Sequence, residues 1–169
     1  MTVLTRDEIL KEMKKGRIKI EPFSKDQIGP ASIDLSLSEE FRVFKKWKTA
    51  PISEDVDYKK FTRLIKVDKY KILSPGEFVL GITREKIALP ENICGWLTGR
   101  TRFARLGLSI HITASFIQPG ISNRQVLEIK NVGSVPLILY PGTRVCQIIL
   151  ITTLGKGKYE GAFSKQESL

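Results

Sequence analysis

Residues that commonly carry chemistry are scarce in this chain. One histidine, His111, and two cysteines, Cys94 and Cys146, make up its whole supply of soft metal ligands. A zinc deaminase needs a His/Cys ligand set closed by a PCxxC-type pair, and this inventory cannot build one. No zinc is expected. Both cysteines sit in apolar contexts far apart in sequence, which suits buried free thiols; whether they pair is a question of geometry. No GxSxG context accompanies the histidine, and a Walker phosphate loop is missing. No apolar run approaches a membrane span, and the chain does not open on a secretory n-region and h-region. These absences predict a cytoplasmic protein without a membrane partner.

What is present fits one globular domain of 169 residues with 41% hydrophobic content, long enough for a sizeable core. The formal charge is +10, from 28 basic and 18 acidic residues. Such an excess favours anionic partners by steering. Nucleotide, nucleic acid and acidic membrane all qualify, and a solubilising lysine-rich surface would account for the excess equally well.

Thr5 and Glu8 have capping-box spacing ahead of the apolar positions Ile9, Leu10 and Met13. They predict a short amphipathic helix over about residues 6–15, stopped by Gly16. RIKIEPF reads as a short strand closed by Pro22. In GPASIDLSLSEEFRVF, Ala31, Ile33, Leu35 and Leu37 alternate with Ser32, Asp34 and Ser36, which is strand periodicity. Residues 45–71 are charged, contain Pro51 and show no clean period, as in a long surface loop or hairpin. Trp47 and Tyr58 are too few among mixed charges to make a nucleic-acid surface, and ordinary packing suits them. From Tyr70 onward, apolar runs alternate with turns at SPGE and at Pro141-Gly142. Short strands at regular spacing predict an antiparallel barrel or jelly roll. The last residues, 152–169, are polar and glycine-rich, a composition that predicts a frayed end.

The most informative stretch runs from Gly99 to Asn131. Arg100, Arg102 and Arg105 stand within six residues behind a glycine, and arginine forks suit the paired oxygens of a polyphosphate. The only acid in the stretch is Glu128, set among apolar residues in VLEIKN. A carboxylate there is costly unless paired or used. Taken alone, it reads equally as an edge-strand acid facing solvent.

In sequence the stretch resembles the dCTP deaminase branch of the deaminase/dUTPase superfamily. That family's patterns GRSSxARLGL, HxTA, IDPGxxG and LEIxN appear here as GRTRFARLGL, HITA, IQPGISN and LEIKN. The resemblance implies a distorted antiparallel β-barrel or jelly roll of the dUTPase-like type with a short N-terminal helix. It also implies a homotrimer with active sites at subunit contacts, and a single domain over 1–169 whose tail, 152–169, is a flexible lid.

On this resemblance Glu128 is the general base, taking a proton from the water that attacks C4 of cytosine. A raised pKa, supplied by the flanking apolar shell, would suit that task. Arg105 orients the water, and Thr101 keeps the hydroxyl of the family serine. His111, Thr113 and Ala114 lie about the base. Arg100 and Arg102 meet the triphosphate, which brings Mg²⁺ held by phosphate oxygens and water. Lys158, Tyr159 and Gln166 are lid contacts, and Asp34 is structural.

One departure stands out. Gln118 replaces the aspartate of IDPG, which in dUTPases contacts the sugar 3′-hydroxyl and helps activate water. A neutral amide can hydrogen-bond the sugar but cannot act as a base. The glycine that follows that motif is also missing from Ile121-Ser122-Asn123. The implied function is deamination of dCTP to dUTP and ammonia in pyrimidine deoxynucleotide synthesis. The alternatives are dUTP diphosphatase activity, both activities together, or a non-catalytic nucleotide- or nucleic-acid-binding homologue. Nucleic acid is the less expected partner.

Overall fold

A computed structural model describes residues 2–46, 48–164 and 166–169. After a short strand β1 (Thr2–Val3), helix α1 spans Arg6–Lys14 and buries Ile9 and Glu12. Thr5 sits at the helix N-cap with extended backbone, but its side chain makes no capping bond. The expected capping box does not form, because Glu8 is taken by Lys11 at 3.0 Å, one helical turn on. Gly16 ends the helix as expected, at φ +69°, a conformation a side chain would strain. Glu12 is buried against ion pairs with Arg17 and Lys15.

Strand β2 (Lys19–Glu21) precedes the long β3 (Ile33–Phe44). Ile33, Leu35, Leu37 and Phe41 of β3 are fully buried. The uninformative segment 45–71 proves to be the arm of a hairpin: β4 (Thr62–Lys66) pairs antiparallel with β3 from Glu40 to Phe44. Trp47 lies outside the described residues. Next come β5 (Lys71–Leu73), β6 (Phe78–Ala88) and β7 (Ile93–Gly99). Helix α2 (Thr101–Ala104) leads to the short β8 (Leu108–Ser109) and β9 (Phe116–Ile117). The chain then forms β10 (Ser122–Asn131), β11 (Leu137–Leu139) and β12 (Arg144–Thr152).

Ten strands make one antiparallel sheet, in the order β8-β10-β6-β3-β12-β7-β9, with β1 on β12, β2 on β6 and β4 on β3. It curls into a half-barrel of the dUTPase-like type. Register irregularities at Leu37/Phe41 in β3 and at Arg144/Cys146 in β12 mark the bends. The turn at SPGE joins strands that do not pair with each other. β5 leaves the main sheet and pairs with β11 instead.

The core fills the inside of the curl with Val79, Leu97, Leu127, Ile129 and Ile148, none more than 1% exposed. Each such side chain contributes about 1.5–3 kcal/mol by leaving water. Cys94 and Cys146 are buried and free. Among the described residues no helix is long and apolar enough to cross a membrane.

Composition predicts fraying at the end of the chain, yet the segment is tied down. Main-chain bonds run from Gly157 N to Glu91 O (2.8 Å) and from Tyr159 N to Pro119 O (3.1 Å). A third runs from Arg124 N to Gln166 O (2.8 Å). Asn123 Nδ2 donates to Phe163 O at 2.7 Å, and Arg42 Nη2 donates to Leu169 O at 3.1 Å. Backbone partners outside the segment, which polar and glycine-rich composition cannot reveal, are what order it.

Candidate active site

Period-2 alternation on β10 sends Leu127 and Ile129 into the core and leaves Val126 and Glu128 half-buried on the other face. The segment between β8 and β9 crosses above Glu128 and surrounds its carboxylate with donors. Thr113 N lies 2.6 Å and Ile112 N 3.1 Å from Oε2. The Thr113 hydroxyl lies 2.9 Å from Oε1 and 3.0 Å from Oε2. Gly99 lets this crossing segment approach closely, since a Cβ there would stand 2.7 Å from Ile110 O.

His111 completes the cluster. Its Nδ1 accepts from Glu128 N at 3.2 Å, and its Nε2 stands 3.5 Å from Glu128 Oε2. The imidazole is 5% exposed, and among the described residues its Nε2 has no hydrogen-bond partner. A buried donor left unmade costs about 1–3 kcal/mol.

The electrostatics correct the expectation for Glu128. Burial pushes its pKa up, but hydrogen bonds from Thr113 and Ile112, with His111 nearby, outweigh burial and hold it below the ordinary value. The apolar shell is real, but the donors arrive from residues 15 and 16 positions upstream. Burial lowers the pKa of His111, and Glu128 offsets this only in part. The imidazole is therefore neutral at pH 7, and it is hydrogen bonds that keep the carboxylate ionised. Oε1 keeps only its share of the Thr113 hydroxyl, so it is the oxygen free to take a proton.

A cavity of about 400 Å³ opens beside this cluster. It gathers Glu128, His111, Ala114, Gln118, Tyr159 and Gln166 from the sequence-expected residues, with Thr113 joined through its bonds to Glu128. The arginine cluster lies apart. Phe103 packs on the core and anchors the short α2, so Thr101, Arg102 and Arg105 are exposed and line no part of this cavity. Arg100 is bound elsewhere: it pairs with Asp34 at 2.9 Å and donates to Arg144 O at 2.8 Å. Asp34 is thus a strand-to-turn tie, as its structural reading implied. Lys158 is exposed beside Glu160 at 3.5 Å, and its stem lies against Gly120.

Sequence reasoning missed Tyr58, Asn123, Gln125 and Phe163, which also line the cavity. Asn123 and Gln125 form a buried amide pair at 2.5 Å, and Asn123 stands where the family pattern has glycine. That departure was a readable signal for a changed wall. Tyr58 carried none: it arrives through Arg42, whose guanidinium lies 5.6 Å over its ring.

A family model described as dCTP deaminase-like matches residues 3–153. The chain belongs to the dCTP deaminase-like family. A relative from Methanosphaera stadtmanae, named "dCTP deaminase, dUMP-forming", is 40% identical over 90% of this chain and 80% of its own length. One of the same name from Kocuria rhizophila is 41% identical over 88% and 78%. The crystal structure of 2′-deoxycytidine 5′-triphosphate deaminase from Agrobacterium tumefaciens shares the fold, with TM-score 0.70 and 22% identity. That match covers 88% of this chain but 47% of the other. A Staphylococcus bacteriophage 80alpha dUTPase shares the fold more loosely, at TM-score 0.52 and 14% identity, over 86% of this chain and 96% of its own.

Proposed function

We propose that this chain deaminates dCTP to dUTP and ammonia. The observation that carries this reading is the Glu128 carboxylate, ionised by fixed donors, with Oε1 available beside a cavity of nucleoside size. Oε1 takes a proton from water as the water oxygen bonds to C4 of the cytosine ring. The C4=N3 π bond yields its electron pair to N3, which receives that proton from Oε1. The remaining hydroxyl proton then passes through Oε1 to N4, C4=O forms, the C4–N4 bond breaks and ammonia leaves. The overall balance is dCTP plus water to dUTP plus ammonia. A lowered carboxylate pKa makes a weaker base, but it keeps the group charged and ready across the neutral range.

The names of the relatives in Methanosphaera and Kocuria support dCTP as substrate. In our reading Ala114 lies beside the base, Gln118 hydrogen-bonds the sugar, and the tail residues Lys158, Tyr159 and Gln166 cover the nucleotide as a lid. Arg105 and Thr101 order the water, and Arg100 and Arg102 take the triphosphate. One chain holds these four away from its own Glu128, so a neighbouring copy in a homotrimer supplies them. The cavity wall offers one carboxylate, already hydrogen-bonded, and several amides. That donor set suits a base and sugar better than a metal, so Mg²⁺ arrives as part of the substrate on its triphosphate. Residues 1–169 would act as one cytoplasmic domain.

The product is the point at issue between two readings. Gln118 cannot serve as a base, which favours release of dUTP. The relatives' printed names favour a second reading, in which the same site carries dUTP on to dUMP and diphosphate. Incubation with dCTP and with dUTP, followed by product chromatography and an ammonia assay, tests both. Ammonia without diphosphate supports the first, ammonia with diphosphate the second, and neither product removes the enzymatic reading.

A further inference from the structure

The buried imidazole beside Glu128 has one nitrogen occupied and one idle. Nδ1 accepts the main-chain N–H of Glu128, so the proton of the neutral ring resides on Nε2. Nε2 is buried, has no hydrogen-bond partner among the described residues, and faces Glu128 Oε2 at 3.5 Å. That separation is longer than a formed N–H···O bond. A small rotation of the carboxylate closes it, and such contacts tighten when substrate binds. Glu128 is the one charged group acting on the ring among the described residues.

We propose that His111 is a positioning residue for Glu128: its Nε2–H donates to Oε2, turning Oε1 toward the water. This rests on the reading of Glu128 as general base. The ring reads the backbone and the carboxylate of one residue, gripping it at both ends. Thr113 and Ile112 charge the carboxylate, and His111 adds a direction. A charged imidazole is not required, and the histidine gives up no proton during turnover. If His111 were only packing, any side chain of similar volume would serve.

Two variants separate these roles. In His111→Asn the amide oxygen still accepts the Glu128 N–H, but no side-chain donor stands where Nε2–H did, and Oε2 keeps only its bonds from Ile112 and Thr113. In His111→Gln the longer amide restores a donor near the position of Nε2. A hydrogen bond to a charged group corresponds to a loss of about tenfold to a hundredfold when removed. His111→Asn should lose that much in kcat with little change in KM. Its acid limb in kcat, which reports the substrate complex where the bond is closed, should move to higher pH by about one unit, because the carboxylate has lost a donor. His111→Gln should recover part of both. A His111→Asn protein with unchanged kcat and an unmoved acid limb overturns the proposal, as does a His111→Gln protein no better than His111→Asn.

A second measurement needs no turnover. His111 is the only histidine, so its imidazole nitrogen-15 signals are unambiguous. The expected spectrum at pH 7 is a neutral ring protonated on Nε2, whose pKa falls further in Glu128→Gln. A ring protonated on Nδ1, an imidazolium at pH 7, or a pKa indifferent to Glu128→Gln overturns the proposal. Absence of deamination with the expected spectrum would instead remove the enzymatic reading and leave the pair standing.

Discussion

Thr113 meets Glu128 twice, with its main-chain N 2.6 Å from Oε2 and its hydroxyl 2.9 Å from Oε1. Among the described residues no other donates to both oxygens. Thr113→Val removes the hydroxyl and keeps the shape and the main-chain donor. The Glu128 pKa should rise toward its ordinary value, and turnover should fall by about tenfold, the cost of one bond to a charged group. The acid limb of kcat/KM reads the pKa change directly.

Acid should weaken the fold through the same cluster. His111 has a pKa below its ordinary 6.5 in the folded chain, so the unfolded chain takes up the proton first. The stability this contributes is full above 6.5 and is lost as pH falls through that region. Glu128 has a folded pKa below 4.5, so its contribution is present above 4.5 and is lost as pH drops through the folded value. Urea unfolding between pH 7 and 5 should show a loss of stability that His111→Gln lacks. Equal pH dependence in both proteins would show that His111 does not titrate in this way.

The subunit arrangement has its own test. Glu128→Gln and Arg105→Ala should each be inactive alone. Mixed and reassembled, they should regain part of the activity, because some contacts then pair an intact Glu128 with an intact Arg105. A mixture as inactive as its parents would show that both residues must come from one chain.

Arg42 supports the cavity wall from outside. It is buried, its Nη1 lies 3.2 Å from Thr62 Oγ1, and its Nη2 holds Leu169 O. Arg42→Ala should destabilise the protein by about 1–3 kcal/mol. It should also speed proteolysis near Lys158. Unchanged cleavage would show that the segment is held without it.

The strands were legible where alternation was strict. Ile33, Leu35 and Leu37 announced β3, and VLEIKN announced β10. The helix at Arg6–Lys14 was legible too, but its cap was not, because Glu8 had a local competitor in Lys11. The pairing of β5 with β11 was not legible, since a turn such as SPGE shows where a chain reverses and not which strand receives it. Glu128 was visible as an odd residue in an apolar strand, and only its likeness to a family pattern separated it from a solvent-facing acid. Its charge state was hidden, because Ile112 and Thr113 reach it through the fold. Tyr58 was hidden for the same reason, being delivered from a segment with no period.

The most direct test of the account is Glu128→Gln, examined by single-turnover deamination and calorimetric dCTP affinity. The amide keeps the size and the hydrogen-bonding reach but loses the basic oxygen. Turnover should fall by about a hundredfold to ten-thousandfold. If Arg100 and Arg102 take the triphosphate as proposed, affinity should hold, and Arg102→Ala should show the reverse pattern. A Glu128→Gln protein that deaminates dCTP at close to the parent rate would contradict the account and leave Glu128 an ordinary strand acid.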